Sequence, residues 1–164
     1  SCSESEPTEF RYLRAGTSAR PNDFGQTVFG SGSNGTTIQP KLGAQGGGNI
    51  INVSSIAARH GGGGGSVLYA SAKGFISTFT KGMAKELIGA NIRVNAVSPG
   101  TISTPFHERY STAEQLEAGR KTIPQGRLGI AEDCVGTFLF LASDSLSGYL
   151  VGQVIEVNGG QYMP

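Results

Sequence analysis

From Gly48 onward the sequence alternates between short β-branched runs and longer helical patterns, and that alternation constrains the fold more than any other feature. Asn49 to Ser54 (NIINVS) is a strand-type run bounded by glycine. Ala70 to Ile88 follows as the longest helical pattern, with Phe75, Phe79, Met83 and Leu87 four apart. Ile92 to Ser98 (IRVNAVS) is a second strand run, stopped by Pro99-Gly100. A polar helix over Thr112 to Lys121 and an apolar helix over Ala131 to Ala142 lead to a third strand, Gln153 to Val157. Glu132 and Asp133 stand in the first turn of the apolar helix, where negative charge meets the positive end of the dipole. Strands and helices in this order predict an α/β fold: three parallel strands joined by right-handed crossovers and flanked by the Ala70 and Ala131 helices.

Upstream of Gly48 the pattern is lost. Ser1 to about Gln45 carries no sustained apolar period, and Phe29 to Thr37 (FGSGSNGTT) is turn and linker chemistry. A weak strand signal covers Gln26 to Phe29, and a short helical pattern ends near Leu42. The expected division is an irregular, loosely packed segment over 1–47 and a folded part over 48–164.

Composition narrows the function classes. A formal net charge of +1 argues against a nucleic-acid partner, which calls for a basic stripe. No apolar run approaches the length of a membrane span, and the polar, acidic start does not read as a secretory signal. Cys2 and Cys134 lie far apart, and His60 and His107 form no cluster with them, so no metal site is expected. These features suit a cytoplasmic chain, with Cys134 as a small buried residue. No G-x-S-x-G elbow is present to support a serine hydrolase.

Three local patterns bear on chemistry. Tyr69 and Lys73 stand four apart at the start of the longest helix, so both project from one face. A tyrosine has a reference pKa of about 10, so one that transfers protons near neutral pH needs a cation beside it. Taken alone, a Y-x-x-x-K spacing is weak. Ser54 and Ser55 end the first strand, the place where open α/β sheets bind ligands; serine there is equally suited to beginning a turn. Gly30-Ser-Gly32-Ser-Asn-Gly35 fits G-x-G-x-x-G in form only. Pro40 interrupts any helix after it, and no acidic residue occurs between Asp23 and Glu86, so it reads as linker.

Taken in order, Ser54-Ser55, the glycine run 61–65, Tyr69-Ala-Ser-Ala-Lys73-Gly74, Asn95-Ala-Val-Ser-Pro99-Gly100 and Asn158-Gly159-Gly160 closely resemble the short-chain dehydrogenase/reductase family. The resemblance runs from about Gly48 to Pro164. It implies a Rossmann-like doubly wound parallel sheet and a nicotinamide cofactor, NAD or NADP. The family's glycine fingerprint, ribose selector and Asn-Ala-Gly strand have no counterpart here, so the expected fold is an incomplete version with an irregular amino-terminal segment. The family's active-site asparagine is also unmatched, since Asn34 lies too near Ser55.

The family roles carry over residue by residue. Ser55 polarises the carbonyl; it is preferred to Ser54 by its spacing to Tyr69, one residue longer than expected because of the glycine run. Tyr69 donates or accepts the proton, and Lys73 holds the nicotinamide ribose and lowers the tyrosine pKa. Pro99 and Gly100 form the nicotinamide-side turn, the backbone of Ile102 meets the carboxamide, and Thr104 reaches the pyrophosphate. The implied reaction interconverts a secondary alcohol and a ketone by hydride transfer. The implied substrate is a small sugar, polyol or oxo-acid, judged from residues 101–128 and 157–164, with His107 facing it. The resemblance further implies a homo-oligomer formed through the Ala70 helix and its symmetry mate. A non-catalytic remnant serving as an oligomerisation or interaction module is the alternative, because half of the family's pattern is missing.

Overall fold

The computed structural model describes residues 27–28, 46–104 and 111–164. Within them, four strands form one sheet in the order β1-β2-β3-β4: β1 (Thr27–Val28), β2 (Gly48–Val53), β3 (Ile92–Pro99) and β4 (Val154–Val157). β2, β3 and β4 are mutually parallel, with Ile50 opposite Val94 and Val97 opposite Ile155. These are the three strands expected from the alternation. β1 pairs antiparallel with β2, Thr27 opposite Asn52, where the sequence carries its weak strand signal. The helical pattern ending near Leu42, and most of the segment 1–47 expected to be irregular, lie outside the described residues.

Among the described residues five α-helices accompany the strands: α1 (Ala57–His60), α2 (Val67–Leu87), α3 (Ala113–Lys121), α4 (Glu132–Ala142) and α5 (Asp144–Ser147). β3 shows why the sheet is covered on both faces. Seven of its eight residues are buried, as a central parallel strand requires. Ile92 and Val94 face α2 and pack with Ala84, Leu87 and Ile50. Val97 faces the other way and packs with Ile51, Leu141 and Phe138, the last two from α4. One helix on each face of a parallel sheet is the doubly wound arrangement.

The polar residues buried in this core are bonded across elements. Asn95 Nδ2 donates to Leu150 O at 2.8 Å, and its Oδ1 accepts from Gln153 N at 2.9 Å, which sets the register of the chain entering β4. Arg93 is 5% exposed and donates to Leu141 O, to Ser147 O and to Asp144, joining the end of α4 to α5. α2 begins three residues before the expected Ala70, because the chain leaves its glycine run at Gly65 and turns directly into helix. α3 opens on the capping box of Thr112 and Gln115. Cys134 is buried and unpaired to another cysteine, and burial pushes its thiol up. Among the described residues no helix is long and apolar enough to cross a membrane, and no group of metal-ligating side chains converges.

Candidate active site

The carboxyl ends of the parallel strands meet the first turns of α1 and α2, and three of the residues singled out in the sequence, Ser54, Tyr69 and Lys73, come together there, with Ser55 the next residue of the chain. Lys73 is 5% exposed although it carries an ammonium. Its Nζ donates to Val53 O at 3.0 Å and stands 5.8 Å from the centre of the Tyr69 ring, within cation–π range. The i, i+4 spacing puts the half-buried Tyr69 and Lys73 on one face, and the bond to Val53 sets that face against the end of β2, where Ser54 and Ser55 follow.

The two serines are used differently. Ser54 Oγ donates to Lys73 O at 3.1 Å and lies 2.6 Å from Ser77 Oγ, stitching the strand end to α2. Ser55 Oγ accepts from Ala57 N at 3.2 Å, at the start of α1. Among the described residues no bond takes the Ser55 hydroxyl hydrogen. α1 is held in turn by Ile56 N on Pro99 O and by Arg59 on Glu156, 2.8 Å apart. That ion pair had no signal in the sequence, since its members are 97 residues apart.

The turn after β3 supplies a second wall. Gly100 N donates to Val157 O, and a Cβ on Gly100 would fall 2.7 Å from Asn158 Cβ, so only glycine lets the turn pack against the chain after β4. Ile102 forms an isolated parallel bridge with Gly129. Its bonds run from Gly129 N to Thr101 O and from Ser103 N to Gly129 O, which spares the N–H and C=O of Ile102 itself. Thr104 is half-buried at the end of this described stretch, and His107 lies outside the described residues. His60 is exposed, and its Nδ1 accepts from Gly62 N, so it shapes the start of the glycine run.

Beside this turn lies a cleft of about 170 Å³, lined among others by Ile102, Ile123, Gln125, Arg127 and Asn158. It is smaller than the ~300 Å³ lower bound usual for organic ligands, too small for a dinucleotide. At its edge Arg127 grips Asp133 through both guanidinium nitrogens, at 2.7 and 2.8 Å. That contact, with a bond from Ile130 N, holds the Asp133 carboxyl at about 2. Gln161 bridges Thr101 and Thr122 and was not singled out in the sequence, where a lone glutamine after Asn-Gly-Gly carries no signal.

The family model for enoyl-(acyl carrier protein) reductases matches residues 35–161. A 3-oxoacyl-(acyl-carrier-protein) reductase FabG of Thermotoga maritima is 44% identical over 123 residues, covering 75% of this chain and 49% of its own length. Among solved structures, an NADH-dependent reductase responsible for alginate metabolism superposes with a TM-score of 0.65 at 34% identity, covering 77% of this chain and 47% of its own. A putative NAD(P)-dependent gluconate 5-dehydrogenase from Beutenbergia cavernae, with bound NADP, reaches a TM-score of 0.68 at 33% identity, covering 74% and 49%. The chain thus spans about half the length of the relatives it matches.

Proposed function

The chain belongs to the short-chain dehydrogenase/reductase family, and on that premise we propose that residues 48–164 form the catalytic part of an NAD(P)-dependent oxidoreductase interconverting a secondary alcohol and a ketone. The observation that carries this reading is the Lys73 ammonium, buried between Val53 O and the Tyr69 ring. Burying a charge is costly, and a position between a strand end and a phenol gives that cost a chemical use.

The division of labour follows from the side chains. Ser55 donates its hydroxyl hydrogen to the substrate oxygen and orients the carbonyl. Tyr69 gives that oxygen a proton during reduction, or takes one during oxidation, at its phenol oxygen. Lys73 keeps a positive charge beside the ring and would hold the ribose. Pro99 and Gly100 shape the nicotinamide-side turn, Ile102 offers its spared N–H and C=O to the carboxamide, and Thr104 would reach a phosphate. These groups fit the nicotinamide end of NAD or NADP, which when bound supplies or accepts the hydride.

The proposed substrate is a small sugar, polyol or oxo-acid. The alginate-metabolism and gluconate 5-dehydrogenase structures support it, while the 3-oxoacyl reductases make an oxoacyl chain the competing class. We further propose a homo-oligomer. A second reading is a non-catalytic interaction module.

Fluorescence titration of the purified chain with NADH and NADPH, followed by turnover on polyols, sugar acids and hydroxyacyl esters, separates the two readings. Tyr69→Phe keeps the ring and removes only the phenol oxygen. It should cut turnover by roughly 10²- to 10⁴-fold with the folding midpoint unchanged. Full turnover in that variant would overturn the assignment. A wild-type chain that neither binds cofactor nor turns over would leave the second reading standing.

A further inference from the structure

Residues 158–161, just after β4, touch two other segments at once. Gly159 and Gly160 both have positive φ, +61° and +85°. A Cβ on the first would sit 2.8 Å from Ile123 Cγ2, and on the second 3.1 Å from Pro124 Cγ, so the turn lies flat on the chain leaving α3. Gln125 N donates to Gly159 O at 3.2 Å across that contact. Asn158 fixes the turn from within, accepting from Gly160 N at 3.0 Å and donating to Tyr162 O at 2.9 Å.

The Gln161 side chain then reaches both neighbours. Its Oε1 accepts from Thr101 N at 3.1 Å, with Thr101 Oγ1 at 3.2 Å. Its Nε2 donates to Thr122 Oγ1 at 2.9 Å and lies 3.1 Å from Thr101 Oγ1. The Thr122 hydroxyl spends its own hydrogen on Gly119 O, 2.7 Å away, so towards Gln161 it acts as acceptor. The two ends of the amide are therefore not interchangeable: one must accept from Thr101, and the other must donate to Thr122.

We infer that Gln161 is a positioning residue that couples the carboxy-terminal end of α3 to the Thr101–Ile102 turn. On the hydride-transfer reading, which this inference deepens and on which only its catalytic meaning rests, that turn meets the nicotinamide carboxamide. A displacement of α3 would reach the cofactor side through this amide, beside the direct approach of Gly119 to the Thr101 side chain.

Amide exchange followed by NMR on the full chain without cofactor tests the coupling independently of turnover. Gln161→Ala should raise exchange at both the Thr101 and Gln125 amides, each by roughly fivefold, the worth of about one net hydrogen bond. Gln161→Glu retains an acceptor for Thr101 and loses the donor for Thr122, so exchange should rise at Gln125 and hold at Thr101. Thr122→Val, a change at an exposed position, should reproduce the rise at Gln125, and Thr122→Ser should return it to the wild-type value. Unchanged exchange at Gln125 in Gln161→Glu, or an equal rise at both amides, would overturn the coupling. Cofactor titration of the same proteins keeps the two ideas apart. If wild type binds neither NADH nor NADPH while the exchange pattern holds, the hydride-transfer reading fails and the coupling stands.

Discussion

Replacing Ser54 or Ser55 by alanine removes the same hydroxyl one residue apart, yet different bonds are lost. Ser54→Ala removes the stitches to Lys73 O and Ser77 Oγ from a site that is 2% exposed. Urea denaturation should show a loss of about 1–2 kcal/mol, with any turnover of the folded fraction retained. Ser55→Ala removes a single 3.2 Å acceptor for Ala57 N and should cost less stability, up to about 1 kcal/mol. Its effect should fall on the rate instead, by a few kcal/mol in the barrier. The reverse pattern would exchange the two roles. Sequence spacing preferred Ser55 but offered no reason for Ser54 to be serine; that reason is its contact with a helix about twenty residues on. Lys73 was legible as a neighbour of Tyr69 on one helix face. Its bond to a strand carbonyl was not, because only the packing of α2 on β2 brings the two together.

At the scale of elements, what was legible is what local pattern dictates. β3 was readable from its short Ile- and Val-bearing run stopped by Pro99-Gly100, although Arg93, Asn95 and Ser98 interrupt it, and α3 from its polar helical pattern; the capping box of Thr112 and Gln115 that opens α3 was not read. The start of α2 was misplaced because Val67 and Leu68 are 60% and 66% exposed, so its first turn carries no amphipathic signal. The acidic first turn of α4 was expected to answer the helix dipole. In the fold Asp133 also accepts from Ile130 N and takes both nitrogens of Arg127, which links the helix to the loop before it. Its carboxyl is depressed from 3.8 to about 2, chiefly by Arg127 and then by the Ile130 N–H. The folded value lies below the unfolded one, so the contribution is complete above the unfolded pKa and is lost as pH falls through the folded one. Between about pH 4 and 2 the Ile130 amide should lose its exchange protection while the β3 amides keep theirs. An Asp133 carboxyl titrating near its ordinary value by NMR would mean that the pair with Arg127 does not persist in solution.

For the molecule as a whole, the sheet and its two cores account for three strands and two covering helices, and they leave apolar surface over. The helical stripe read from the sequence divides: Met83 and Leu87 turn into the core, whereas Phe75 is 56% exposed and stacks on Phe79 at 5.6 Å. Periodicity shows that a helix has more apolar positions than one seam needs, but not which of them the seam takes. A second exposed set, Leu139 at 66% and Leu146 at 67%, lies on α4 and α5. Either surface is able to join two copies of the chain, and the proposed homo-oligomer uses the first. α2 is 21 residues long, and a two-fold contact along it would meet its own exposed aromatic residue on the partner copy. Light scattering at tens of micromolar should therefore give at least a dimer. Phe75→Glu should shift it to monomer, because each two-fold contact would then bring like charges together in an apolar seam. Leu139→Glu is the matched change on the other surface and should leave the assembly intact. If Leu139→Glu dissociates the assembly and Phe75→Glu does not, the seam lies on α4. A wild-type chain that scatters as a monomer removes the α2 contact from the proposal altogether.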